Sequence, residues 1–184
     1  MVRRIFQSRD LPWRQRVTIV VVNDNGNVLI ANQPPLPPYN EKMLTLPGGG
    51  IEPGQTPEEA VAAELLEEVG VKVSGIQVLD CHTFEEPFTV LKPGEGTPVQ
   101  IERRKLFKGV QSVAYFAKFE RTINGGKGTG NDAMEWEWYP FHRATGIMLA
   151  QRALAIKTGR NGKLHMFMAD AIRVAKDHFY KIES

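Results

Sequence analysis

The sequence predicts a single α/β domain, and three observations carry that expectation. A β-branched run enters an Asn-Gly turn near the start. A helix with a complete set of start and stop signals sits in the first half. Two further helical patterns close the chain after several more strands. A length of 184 residues suits one domain, and 42% hydrophobic against 24% charged residues is enough apolar material for a packed core.

Arg14 and Arg16 lead into Val17-Thr18-Ile19-Val20-Val21-Val22, which reads as a buried strand because nearly every residue is β-branched. Asn25-Gly26 then supplies the positive φ of a hairpin turn, and Val28–Ala31 returns as the second strand. Four prolines between Pro34 and Asn40 exclude regular structure there. Leu44–Leu46 resumes briefly before Pro47-Gly48-Gly49-Gly50 forces an irregular turn.

The helix that follows is the best-specified element. Thr56 is its N-cap, Pro57 its first residue, Glu59 the partner in a capping box, and Gly70 its C′ residue. Val61, Ala62, Leu65, Leu66 and Val69 form its apolar stripe. Strands are expected near Gln77–Thr83, Ser112–Glu120 and Glu135–Tyr139, separated by two long loops, Pro87–Gly109 and Thr122–Asp132. Helices are expected at Ile147–Lys157 and Leu164–Tyr180, the second with a core-facing stripe of Phe167, Met168, Ala171, Ile172, Ala175 and Phe179.

Composition limits the function. A net charge of +2, from 23 basic and 21 acidic residues, argues against nucleic acid or a membrane surface as the main partner. No apolar run approaches the roughly 20 residues that cross a bilayer, and Met1–Asp10 lacks the apolar stretch of a signal peptide. The lone Cys81 excludes an intramolecular disulfide and reads as core filler. Together these features point to the cytoplasm.

The chemistry concentrates on the helix from Pro57 to Val69. Glu64, Glu67 and Glu68 are spaced i, i+3, i+4, so they project from one side and repel one another. An acidic solvated face would explain them. The preceding Gly-rich turn offers the other explanation, because its backbone can approach a ligand closely. Carboxylates beside such a loop suit a hard cation that also binds phosphate oxygens.

From Gly49 to Val71 the sequence resembles the Nudix signature, G-x5-E-x7-R-E-U-x-E-E-x-G-U with U aliphatic. Seven of its nine defined positions match: Gly49, Glu64, Leu65, Glu67, Glu68, Gly70 and Val71. Gln55 stands where the family has its early Glu, and Ala63 where it has Arg. The resemblance implies an α/β/α sandwich with a mixed β-sheet, and metal-dependent hydrolysis of a diphosphate linkage. The substrate would be a nucleoside diphosphate-linked compound or a nucleoside triphosphate. It implies Mg²⁺ or Mn²⁺ held by Glu67, Glu68, Glu64 and the backbone carbonyl near Gly48, with Glu64 acting as a base in some members. A further acidic residue often comes from beyond this helix; Glu137, beside Trp138, is the candidate, with Glu135 second. In a strand these two share one face, and Trp136 and Trp138 the other.

Arg103 and Arg104 belong to a basic run expected in a loop, and they are candidates for substrate phosphates. Phe88 is a candidate for stacking on a base. Asn124–Gly130 lacks the spacing of a phosphate loop and is expected to be a flexible hairpin tip. The four histidines show no metal-ligand spacing. A homodimer is compatible with these features. The competing function is a non-catalytic Nudix-fold nucleotide-binding or regulatory module, supported by Gln55 and Ala63.

Overall fold

Val17–Val22, the β-branched run, lies at the middle of a seven-stranded sheet in the computed structural model, which describes residues 11–33, 43–88, 97–130, 133–157 and 162–182. The basic start Met1–Asp10 and the proline-rich stretch Pro34–Asn40 lie outside the described residues. In chain order the elements are β1 (Trp13–Val22), β2 (Asn27–Gln33), β3 (Met43–Thr45), α1 (Pro57–Val69), β4 (Val71–Val78), β5 (Phe84–Pro87), α2 (Pro98–Leu106), β6 (Gly109–Thr122), β7 (Glu135–Pro140), α3 (Phe141–Lys157) and α4 (Lys163–Ile182).

The sheet runs β3-β2-β1-β6-β4, with β5 also paired to β6 and β7 to β2. It is mixed: β1 and β6 are parallel over ten paired positions, Trp13↔Gly109 to Val22↔Lys118, and the other pairs are antiparallel. Alternation along β1 sends Val17, Ile19 and Val21 into one core with Val61, Leu65 and Val69 of α1. Val20 and Val22 join the other core, with Met148 of α3 and Phe167 and Ile172 of α4. Helices thus cover both faces, giving the expected α/β/α sandwich. Leu65 is fully buried, which contributes about 1.5–3 kcal/mol.

β1 and β2 meet at Val22↔Val28, next to their turn. Further along, β1 pairs instead with the Gly-rich segment: Ile19 N–H donates to Pro47 O at 2.9 Å, Val17 N–H to Gly49 O at 2.9 Å, and Ile51 N–H to Gln15 O at 3.0 Å. The glycines are therefore an irregular insert in the sheet, held by β1 on one side.

Several elements differ from the sequence expectation. Val71-Lys72-Val73 begins a strand directly after the Gly70 cap, so β4 ends at Val78 and a separate β5 starts at Phe84. α3 begins at Phe141, where the buried Phe141 and Ala144 add a turn to the expected helix. The loop expected over Pro87–Gly109 contains α2. Its start repeats the grammar of α1: the Thr97 hydroxyl accepts from Gln100 N–H at 3.2 Å, and Gln100 Oε1 accepts from Thr97 N–H at 2.9 Å. α2 has no buried residue and so lacks the apolar stripe that marks the other helices. Among the described residues no helix is long and apolar enough to cross a membrane.

Candidate active site

α1 is fixed at both ends. The Thr56 hydroxyl accepts from Glu59 N–H at 3.2 Å, Glu59 Oε2 accepts from Thr56 N–H at 2.8 Å, and Gly70 takes the left-handed conformation at the C-terminus. The carbonyls of the last turn are capped by tertiary contacts. Glu67 O accepts from Gly130 N–H at 2.9 Å, Glu68 O from Met134 N–H at 2.6 Å, and Gly70 O from Ile123 N–H at 2.7 Å. Val69 O accepts from Trp136 Nε1–H at 2.8 Å. Gly130, of the 124–130 segment expected to be a flexible hairpin tip, thus joins Ile123, Met134 and Trp136 in holding the end of the glutamate helix. The small residues of that segment are needed for contact: a Cβ on Gly128 would overlap the carbonyls of Glu67 and Glu68.

Glu64, Glu67, Glu68 and Gly48 are brought together as expected. All four border one cavity of about 470 Å³. Glu67 is exposed, Glu64 half-buried, and Glu68 only 8% exposed, so the three carboxylates do not share one solvated face. Glu68 Oε2 accepts from Gly48 N–H at 2.9 Å. The Gly48 carbonyl accepts from Arg16 Nη2 at 3.1 Å. A Cβ on Gly48 would overlap the Val17 carbonyl, and one on Gly49 would overlap the Glu64 carboxylate. Gly48, at a φ of +152° and against backbone, can therefore only be glycine while the insert stays this close to β1, whereas at Gly49 the neighbour is the movable end of the Glu64 side chain.

Three arginines line the same cavity, together with Glu52 and Glu86. Arg14 and Arg16 alternate on β1 with Gln15, so both face the cavity, and Arg103 of α2 joins them. Burial lowers the proton affinity of the Arg16 guanidinium, while the Glu68 and Glu64 charges oppose that shift. Burial does the same to Arg14, and Arg103 and Arg16 add to it. Arg14 also lies 3.5 Å from the exposed Glu52 carboxylate.

Sequence reasoning did not assign Arg14 or Arg16 to the site. Their period-two spacing just ahead of the buried run was the available signal. Arg103 reaches the cavity from a helix rather than from a loop. Its neighbour does not: Arg104 lies over the Phe88 ring, 4.9 Å from its centroid, and both are outside the cavity lining. Phe88 therefore packs against a cation of its own chain. Glu137 is also placed elsewhere. It lines a separate hollow with Asn32, Gly126 and Glu135, and its Oε2 accepts from the Tyr139 hydroxyl at 2.6 Å. The reason is register: β7 pairs with the outer side of β2, with Glu137 opposite Ile30. The alternation expected for β7 holds, since Trp136 and Trp138 pack against the α1 core. Gln55 closes a local turn, its Oε1 accepting from Glu52 N–H at 3.1 Å.

The donor set suits a hard divalent cation, since Glu64, Glu67 and Glu68 bring carboxylates to one cavity that Gly48 also lines. Among the described residues no three Asp, Glu, His or Cys side chains already converge on one point. Enclosing an ion needs side-chain rotation of the glutamates, while the backbone that carries them is already held.

The family model of the NUDIX domain matches residues 12–159. An RNA pyrophosphohydrolase of Pseudomonas fluorescens (strain SBW25) is 41% identical over 69 residues, which is 38% of this chain and 40% of that protein. One from Yersinia pestis (strain Pestoides F) is 40% identical over 67 residues, 36% of this chain and 35% of that protein. The chain thus matches less than half the length of these relatives. A solved NUDIX hydrolase from Nitrosomonas europaea superposes with a TM-score of 0.58 at 15% identity, covering 89% of this chain and 90% of that one. This likeness is one of fold.

Proposed function

The chain belongs to the Nudix family, whose domain it matches over residues 12–159, and from that premise we propose that it hydrolyses a diphosphate linkage in a nucleotide-like substrate. The observation that carries this reading is one cavity lined by Glu64, Glu67 and Glu68, by Arg14, Arg16 and Arg103, and by the glycine insert. Carboxylates and guanidinium groups bordering one cavity suit a cation and a polyanion bound side by side.

In this reading Glu67, Glu68 and the Gly48 carbonyl hold Mg²⁺ or Mn²⁺. When bound, the cation supplies charge to the diphosphate oxygens and acidity to the attacking water. Glu64, whose carboxylate lies close to Gly49, accepts the proton of that water. A new P–O bond forms in line with the one that breaks, and the leaving phosphate departs with the bridging oxygen. The arginines orient the phosphates throughout. The relatives named RNA pyrophosphohydrolase favour a 5′-polyphosphate substrate, RNA included.

The test is a panel of nucleoside triphosphates, nucleoside diphosphate sugars, dinucleoside polyphosphates and 5′-triphosphorylated RNA, with Mg²⁺ or Mn²⁺ and products separated by chromatography. Cleavage of one class that stops on chelation is the expected result. Undiminished turnover after exhaustive chelation, or no cleavage across the panel, overturns it. Arg16 on the Gly48 carbonyl, with Gln55 and Ala63 in the signature, favours one second reading, a binding module without turnover. That module would bind a panel member and leave it intact.

A further inference from the structure

The last turn of α1 carries two carboxylates at the helix end that disfavours them. Glu67 and Glu68 lie directly before its final residue, Val69, where the helix dipole is negative, and the turn has no basic residue. The compensation comes from outside the helix. The Glu67 carbonyl accepts from Gly130 N–H at 2.9 Å, the Glu68 carbonyl from Met134 N–H at 2.6 Å, and the Gly70 carbonyl from Ile123 N–H at 2.7 Å. The Val69 carbonyl accepts from the Trp136 indole N–H at 2.8 Å. Carbonyls at this end have no partners within the helix itself.

Gly130, Met134 and Ile123 donate from the backbone between β6 and β7, whereas Trp136 donates from a side chain of β7. That side chain is closely seated. Its N–H is shared with the Gly126 carbonyl at 3.0 Å, and a Cβ on Gly126 would come within 2.9 Å of its ring. The ring meets Trp138 edge to face at 5.5 Å and packs against the core that holds Val61, Leu65 and Val69. Trp136 is paired with Ala31 of β2. The indole therefore ties the last turn of α1 to the sheet, at the residue directly after Glu68.

We propose that Trp136 is a positioning residue for the cation site, its indole N–H holding the last turn of α1 in the orientation that presents Glu67 and Glu68 to the cavity. The proposal rests on the hydrolase reading for the assignment of those two glutamates as cation ligands. Each of them borders the cavity with its side chain while its own carbonyl is held from the β6–β7 side. Removing the indole N–H takes the donor from the next carbonyl, at the negative end of the helix, and loosens the turn. A divalent cation held by carboxylate oxygens tolerates little displacement of them.

The test is Mn²⁺ binding, read from the free-ion paramagnetic resonance signal well below the melting temperature of each protein. Trp136→Phe should weaken Mn²⁺ binding by roughly tenfold. Benzothienylalanine incorporated at position 136 replaces the indole N–H with sulfur and keeps the ring. It should weaken binding as much, and it carries the test where the phenylalanine variant does not fold. Trp138→Phe removes a comparable ring from the same core and should change Mn²⁺ binding less than about twofold, whatever it costs in melting temperature. Unchanged binding in the sulfur analogue, or an equal loss in Trp138→Phe, would overturn the positioning role and leave the hydrolase reading untouched. Absence of Mn²⁺ binding by the wild type would remove the cation site and the proposal with it. The assay reads no turnover, so the expected pattern with no cleavage in the substrate panel would remove the hydrolase reading and leave the cation site and the role of Trp136 standing.

Discussion

Glu68 Oε2 accepts a hydrogen bond from the Gly48 N–H at 2.9 Å, tying the glutamate helix to the glycine insert in the sheet. Arg16 holds the other side of the same residue through its carbonyl at 3.1 Å. Gly48 is therefore gripped by a carboxylate and a guanidinium that also attract each other. Placement of the site depends on this grip.

The two paired glutamates should separate stability from activity. Glu67 is exposed and Glu68 is 8% exposed. Glu67→Gln should leave unfolding free energy within about 0.5 kcal/mol. Glu68→Gln should lower it by about 1–3 kcal/mol, because it removes the charge that faces the buried Arg16. Both should reduce turnover by on the order of a hundredfold or more. Denaturant melts and steady-state rates check this; equal stability of the two variants would mean the burial of Glu68 carries no energy.

Gly48→Ala should destabilise by about 2–4 kcal/mol, since a Cβ there meets the Val17 carbonyl at a φ of +152°. Gly54→Ala is the matched control. Its φ is +85° with nothing within 4 Å of a Cβ, so it should cost only about 1 kcal/mol of backbone strain. Similar losses at the two positions would show that contact with β1 is unimportant.

Glu137→Gln should leave turnover within about twofold of wild type, because that carboxylate lines a different hollow. Its effect should appear on Tyr139 instead. The hydrogen bond to Glu137 holds the Tyr139 phenol above its ordinary range, with smaller contributions from burial and the Glu137 charge. A raised folded value means the contribution to stability is present below the ordinary phenol range and lost as pH rises through the raised value. Ultraviolet titration, with Tyr139→Phe to identify the signal, should show it return toward the ordinary range in Glu137→Gln. A large fall in turnover would bring Glu137 back into the catalytic set.

Cys81 should react slowly with alkylating reagents near neutral pH. Burial pushes its thiol up, and the Asp170 and Asp80 charges add to the shift. Less thiolate is then present than on a free cysteine, and the thiolate is the nucleophile. The rate should approach that of free cysteine as pH rises through the raised value. Faster reaction than free cysteine at neutral pH would contradict the assignment.

The elements of the glutamate helix were legible in the sequence because they are local. Thr56, Pro57, Glu59 and Gly70 act within one or two turns of backbone, and the structure places the helix over the same residues, Pro57–Val69. The β-branched run of β1 was legible for the same reason, as was the alternation of tryptophans and glutamates in β7. α2 was obscured because it buries nothing, although Thr97, Pro98 and Gln100 wrote the same start signal as α1.

By itself, then, the sequence determined which residues form the helix, that Glu64, Glu67 and Glu68 lie on it together, and that a Gly-rich turn precedes it. Tertiary structure alone decided what those glutamates face. Arg16 and Gly48 are 32 residues apart and meet because the insert pairs with β1 where β2 has left it. Arg103 reaches the same cavity from α2, while Glu137 is carried away from it by the pairing of β7 with β2. Caps and side-chain alternation follow from backbone geometry over a few residues. Which face meets which depends on strand order and register, and those are set by burial of the whole sheet between its helices.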